Sequence, residues 1–175
     1  NAASSRVPTL CVLRDEKETY TNVFQRAREL KRRGGQKYSV AVLCCNADNF
    51  ALYRDAGDLR SYFRAVSSRE EAAGARPDAY RFLLSSPEYV AGLQFDAVFL
   101  LDVNKSETPE GAYSAGLRRR FLSKLYLGAS RAKSHLEIYA TATSGGPSPL
   151  LAQALQSSAL ERRGWDEMPS IAGLL

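Results

Sequence analysis

Residues 125–140, LYLGASRAKSHLEIYA, carry the end of a helix into a strand across three small residues, Gly128, Ala129 and Ser130, with Arg131 directly at the junction. The helical side extends over 117–130, where Leu117, Phe121, Leu125 and Ala129 recur on one face. The strand side, HLEIYA (135–140), follows without a break. A cation beside a helix C-terminus is mildly favourable against the macrodipole. Small neighbours that leave the arginine uncovered supply a second reading, in which Arg131 reaches for an anion the chain does not itself carry.

The same helix-to-strand pattern repeats on both sides of this junction. TLCVL (9–13) reads as a first strand, and Asp15 with Glu18 makes a capping-box-like start to a helix. In that helix Tyr20, Val23, Phe24, Ala27 and Leu30 share a face, and Gly34-Gly35 ends it. YSVAVL (38–43) is a buried strand, followed by a short helix through Phe50, Leu52 and Tyr53 that stops at Gly57. LRSYFRAV (59–66), YRFLLSS (80–86) and DAVFLLDV (96–103) read as further strands; SSREEAAGARPD (67–78) reads as a loop. SGGPSP (144–149) marks a break before a terminal helix, LLAQALQSSALE, and a tail containing Trp165. All-apolar strands alternating with helices predict a three-layer α/β domain, with a mainly parallel sheet and helices on both faces. Chemistry in such sheets gathers at the strands' carboxyl ends, which directs attention to the loops after Leu43, Ser86 and Asp102 and before Arg131.

Composition narrows the classes. With 175 residues and 45% hydrophobic content the chain can bury one core, and its longest apolar runs, such as AVFLL (97–101), are strand-sized rather than membrane-spanning. The polar opening NAASSRVP lacks the apolar core of a secretory signal, and Met168 is the only methionine. Residues 1–8 are accordingly expected to be a disordered lead or expression scar on an excised piece of a longer protein. Cys11, Cys44 and Cys45 fit neither a disulfide framework nor metal-site spacing and read as buried thiols in a reducing compartment, the cytoplasm. A balance of 24 Lys+Arg to 19 Asp+Glu, net +5, leans toward a polyanionic partner.

Neither a G-x-x-x-x-G-K-[ST] phosphate loop nor a G-x-G-x-x-G fingerprint occurs, and the single histidine, His135, opens a strand with no partners for metal binding or nucleophilic catalysis. A self-sufficient hydrolase or dehydrogenase is therefore unsupported. Arg118-Arg119-Arg120 spreads around a helical turn as a solvated face, with a phosphate-facing role for one of them as the alternative. Tyr62-Phe63-Arg64 interleaves aromatic and basic residues in a way that suits either base stacking or plain strand alternation.

Two stretches in order, SSPEYVAGLQFDAVFLLDV (85–103) and RRRFLSKLYLGASRAKSHLEIYA (118–140), resemble motifs V and VI of the UvrD/Rep-like superfamily 1 DNA helicases. The first parallels T-x-H-x-x-K-G-L-E-[FW]-[DP]-x-V and the second Y-V-[AG]-[ILM]-[ST]-R-A. YSVAVLCCNADNFALYRDAG (38–57) is similar to an upstream segment of the same family.

The resemblance implies that 9–143 is a second RecA-like motor domain of the P-loop NTPase type, followed by a C-terminal helix and tail over 144–175. The family's accessory insert would be replaced by the polar stretch 67–78. It further implies that Arg131 faces the γ-phosphate of ATP, with Mg, held by an N-terminal RecA-like domain outside this sequence. Gly92, Gln94 and Ser130 would border the nucleotide, Gly128 and Ser130 keeping the approach open. Ser86, Glu88 and Tyr89 would lie on the single-stranded DNA track. By this reading the parent hydrolyses ATP and the fragment alone does not. Glu88, Ala91 and Gln94 stand where the family carries His, Lys and Glu, which supports a second reading, a helicase-derived nucleic-acid-binding or scaffolding module without motor activity. A third is an unrelated α/β binding domain using the cleft near Asp102.

Overall fold

A computed structural model of the chain describes residues 6–111 and 113–175. Seven strands, β1 (Thr9–Leu13), β2 (Val40–Cys44), β3 (Phe63–Ala65), β4 (Phe82–Ser85), β5 (Phe95–Leu101), β6 (Ala132–Thr141) and β7 (Glu161–Arg162), form one sheet in the order β3-β4-β2-β5-β6-β1-β7. Every strand pair is parallel. A parallel sheet needs cover on both faces, and this is why the central strands are continuous apolar runs rather than alternating ones.

One face is covered by α1 (Glu16–Gly34), α2 (Ala47–Asp55) and the terminal α6 (Ile171–Leu174), around Phe24, which meets Phe63 and Phe82 edge-on at 5.6 Å each. The other face is covered by α3 (Arg69–Gly74), α4 (Ala115–Ala129) and α5 (Ala152–Gln156), with Phe121 and Leu125 packed among Val98 and Leu100. α1 begins as its sequence dictates: Asp15 Oδ1 accepts the Glu18 N–H at 2.9 Å, while the Glu18 carboxylate accepts the Arg14 N–H at 3.1 Å. Gly35, at φ 81°, ends it in a conformation that favours glycine.

Several expected elements differ. Within 59–66 only Phe63–Ala65 pairs as a strand, because the Leu59 N–H donates to the Tyr20 hydroxyl at 3.0 Å and the chain coils through a 3-10 turn at Arg60–Tyr62. The loop expected over 67–78 contains α3, capped by Ser68 Oγ accepting the Glu71 N–H at 3.0 Å and anchored by buried Ala72. Leu117 is 49% exposed, since α4 buries Phe121, Leu125 and Gly128 and begins beyond the sheet. The terminal helix breaks into a 3-10 turn (Pro149–Leu151) and α5, and the chain then returns as β7 beside β1.

Of the expected lead, residues 1–5 lie outside the described residues; in the remainder the Pro8 carbonyl accepts the Glu161 N–H at 3.0 Å. No helix among the described residues is long and apolar enough to cross a membrane.

Candidate functional site

The predicted site residues divide between two regions of the sheet. Arg131 lies not at a carboxyl end but at the amino end of β6, because α4 delivers the chain there after crossing the sheet's face. The Arg131 carbonyl accepts the Phe95 N–H at 2.8 Å, so the junction is stitched to the start of β5, immediately after the Gly92–Gln94 turn. The four residues proposed for the nucleotide, Gly92, Gln94, Ser130 and Arg131, thus gather on one edge.

The arginine's fork is folded onto the protein. Nη1 donates to the Ala91 carbonyl at 2.5 Å and the Leu93 carbonyl at 3.0 Å, Nε to the Leu127 carbonyl at 3.3 Å, and Nη2 to Ser130 Oγ at 3.3 Å. These carbonyls belong to the turn before β5 and to the last turn of α4, where backbone acceptors lack regular partners. Arg131 therefore joins the two motif-like stretches directly, straddling Gly92 rather than projecting into solvent.

The small residues divide by role. Gly128 does not keep an approach open: a Cβ there would meet Leu100 Cδ1 at 2.6 Å and Pro87 Cγ at 3.3 Å, so its smallness lets α4 sit close on β5. Gly92 is exposed, has no positive φ, and a Cβ would meet nothing within 4 Å. Nothing among the described residues requires glycine at 92. Ser130 Oγ donates to the Leu127 carbonyl at 3.2 Å and forms part of the end of α4, and Gln94 is exposed beside it.

Glu88 and Tyr89 fall on the 3-10 turn Pro87–Val90 that follows β4, and Ser86 is the residue leading into it. Ser86 Oγ donates to Glu88 Oε1 at 2.7 Å, and Lys124 Nζ lies 3.5 Å from the same oxygen while donating to the Cys45 carbonyl at 3.2 Å. The hydroxyl is thus engaged within the turn, and Lys124 offsets the negative charge of Glu88. An open hollow of about 510 Å³ adjoins the turn, lined by Cys45, Glu88, Glu107, Arg120, Phe121 and Lys124 among others.

Asp102, expected inside the strand 96–103 ahead of a loop and beside a cleft, instead lies just past the end of β5 on the carboxyl edge. It follows β5 with φ 64°, is 1% exposed, accepts from Asn49 Nδ2 at 3.1 Å through Oδ1, and leaves Oδ2 without a hydrogen-bond partner among the described residues. Burial pushes its carboxyl up to about 7; Glu16 and Glu107 push the same way, and the Asn49 amide opposes them. The sequence signal for it is an acid closing an all-apolar strand.

His135 is a satisfied core side chain. Its Nε2 lies 2.6 Å from Glu137 Oε2, and Glu137 also accepts from Arg26 Nη2 at 2.6 Å and from the Tyr139 hydroxyl at 2.5 Å. Despite its burial, the hydrogen bonds and charges of His135 and Arg26 hold the Glu137 carboxyl below its ordinary value. The three cysteines are free and buried, and burial pushes their thiols up. Among the described residues, no group of three or more His, Cys, Asp or Glu side chains is placed to hold a metal ion.

A fully parallel sheet between two helical layers, with helix α4 returning to the amino edge beside a short turn, defines an α/β domain of the RecA-like kind. Two solved structures similar to it are C-terminal domains of helicase-type proteins. The C-terminal domain of a possible DNA helicase from Lactobacillus plantarum WCFS1 is 17% identical with a TM-score of 0.67, over 90% of this chain and 86% of that one. The C-terminal domain of the DEAD-box protein Dbp5 is 9% identical with a TM-score of 0.53, over 93% of each chain. No family model matches the chain, and no curated protein matches it in sequence. At these identities the likeness defines the fold, that of helicase C-terminal RecA-like domains.

Proposed function

We propose that the chain serves as the second motor domain of an ATP-dependent DNA helicase or translocase of the UvrD/Rep-like type, completed by an N-terminal RecA-like domain. The observation that carries this reading is the direct bonding of Arg131 to the carbonyls on either side of Gly92, which brings the two motif-like stretches onto one edge. There a second domain holding ATP and Mg could dock. Arg131 would then exchange its carbonyl partners for the γ-phosphate. Its planar, permanently charged fork suits the charge of a transferring phosphoryl group. Gln94 would hydrogen-bond the ribose, Gly92 and Ser130 would allow close approach, and Ser86, Glu88 and Tyr89 would border the DNA strand.

The test is Arg131→Ala in the protein containing both domains, read as DNA-stimulated ATP turnover. Loss of an arginine finger should lower turnover by roughly 10³-fold or more. Near-wild-type turnover would overturn the assignment.

The engagement of Ser86 by Glu88 favours a second reading, a nucleic-acid-binding or scaffolding module without motor activity. A two-domain protein that binds DNA yet hydrolyses no ATP before any substitution would select it.

A further inference from the structure

The Tyr62-Phe63-Arg64 stretch is divided three ways by the fold. Phe63 enters the core, Tyr62 carries the Arg28 guanidinium 4.2 Å above its ring, and Arg64 stands exposed on the edge strand β3. Arg64 borders an open groove of about 620 Å³ whose floor includes Phe82, Leu83 and Phe95, at the amino ends of β4 and β5. Lys37, Arg76 and Arg81 share its rim with the Asp78 carboxylate, and buried Lys31 also lines it.

Arg81 is held by Asp78 at 3.2 Å, whereas Lys37, Arg64 and Arg76 form no ion pair among the described residues. Asp78 Oδ1 accepts the Tyr80 N–H at 2.8 Å and the Arg81 N–H at 2.9 Å, which fixes the turn on which Tyr80 stands 73% exposed.

From this groove we infer a second nucleic-acid surface, one that takes a single strand with its phosphates on Lys37, Arg64 and Arg76 and a base stacked on Tyr80. Unpaired cations of one sign around an apolar floor match a chain whose charge is on its backbone and whose bases offer apolar faces. A duplex keeps those faces stacked inside and could use neither the floor nor Tyr80. The surface is separate from the turn bearing Ser86, Glu88 and Tyr89, and at one end it borders the proposed nucleotide edge, where Leu93 and Gln94 line the same groove. β4 runs between the groove and that turn, and five residue steps at about 3.3 Å put Ser86 about 16 Å from Arg81. It stands whether or not the protein hydrolyses ATP.

The test measures binding of the 175-residue chain to fluorescent oligo-dT, to oligo-U of equal length, to a duplex and to a polyglutamate peptide, over a range of salt. Single strands should bind more tightly than the duplex or the peptide, and the dT-to-U ratio reports which nucleic acid the groove prefers. Arg64→Glu with Arg76→Glu should weaken single-strand binding at least about tenfold and reduce the salt slope by about 0.7 per lost phosphate contact. Tyr80→Ala should cost at least about fivefold with the salt slope unchanged. Arg162→Glu, exposed on the opposite edge strand β7, should stay within about twofold. All of these sites are exposed, and circular dichroism verifies that each variant folds. No binding, binding indifferent to the three groove changes, or polyglutamate binding as tightly as oligo-dT would each overturn the inference.

Discussion

Arg131 illustrates how one side chain can carry a structural and a proposed catalytic role. Its fork satisfies carbonyls of the 91–93 turn and of the α4 terminus, so removing it loosens the edge as well as any phosphate contact. Glycines separate the two kinds of role more cleanly. Gly128→Ala forces a methyl against Leu100 and should cost about 1–3 kcal/mol in urea unfolding, whereas Gly92→Ala should stay within about 0.5 kcal/mol. In the two-domain protein Gly92→Ala should nonetheless lower ATP turnover, because under the proposed function the space it fills would be the nucleotide's.

Asp102 makes a prediction of opposite sign to the usual carboxylate. Its folded value, about 7, lies above the ordinary 3.8, so the unfolded chain releases this proton first and stability falls as pH rises from about 4 to 7. Asp102→Asn keeps the left-handed backbone within reach, since asparagine tolerates φ > 0. It should remove that slope and gain stability above pH 7, on the order of 4 kcal/mol at most. Thermal melts from pH 4 to 8 check it; parallel curves for the two proteins would contradict it. Position 102 was read as the end of a buried strand leading into a loop, one residue beyond where β5 stops. Its backbone strain and unpaired oxygen were not legible, because both depend on what the tertiary fold packs around it.

Among the elements, those with a long apolar period or a full run of buried residues were readable: α1, β2, β5 and β6 lie where hydrophobic spacing places them. The extent of the marginal strands was not. β3 pairs three residues inside the strand expected over 59–66, and β7, two residues long, falls where a terminal helix and tail were expected; how much of each pairs depends on the edge a neighbouring strand offers, which local sequence does not record. Helix α3 is likewise fixed by the Ser68 cap and by the Arg69 Nε bond to the Glu88 carbonyl at 3.3 Å.

The joining of α1, β6 and the C-terminal segment rests on Arg26, which pairs with buried Glu137 and also donates to the Pro169 carbonyl at 2.8 Å. Arg26→Ala would leave buried Glu137 without its guanidinium partner, held only by His135 and the Tyr139 hydroxyl, and should destabilise by about 3–5 kcal/mol; Arg26→Lys, which keeps a cation beside the carboxylate, should lose markedly less. Chemical denaturation of both variants decides the point, and equal stabilities would contradict it. The Arg26–Glu137 pair escaped the sequence reading because its two residues lie 111 positions apart, so that no local spacing links them.

At the scale of the whole molecule, one sheet presents two differently built ends. Arg131, Ser130, Gly92 and Gln94 meet at the amino end, and Ser86, Glu88, Tyr89 and buried Asp102 follow strands at the carboxyl end. The order of the motif-like stretches along the sequence foretold that Arg131 and Gly92 would come together. It did not foretell that the arginine would close on the turn's own carbonyls, since those acceptors become available only once α4 lies across β5. A motor domain must release that contact when a nucleotide-bearing domain docks, and a scaffold need not.

DNA-stimulated ATP turnover of the two-domain protein, wild type against Arg131→Ala with folding verified, therefore bears most directly on the central claim. The account predicts a loss of roughly 10³-fold or more at saturating ATP. Turnover within about twofold of wild type would contradict it and leave Arg131 as a brace for the turn alone.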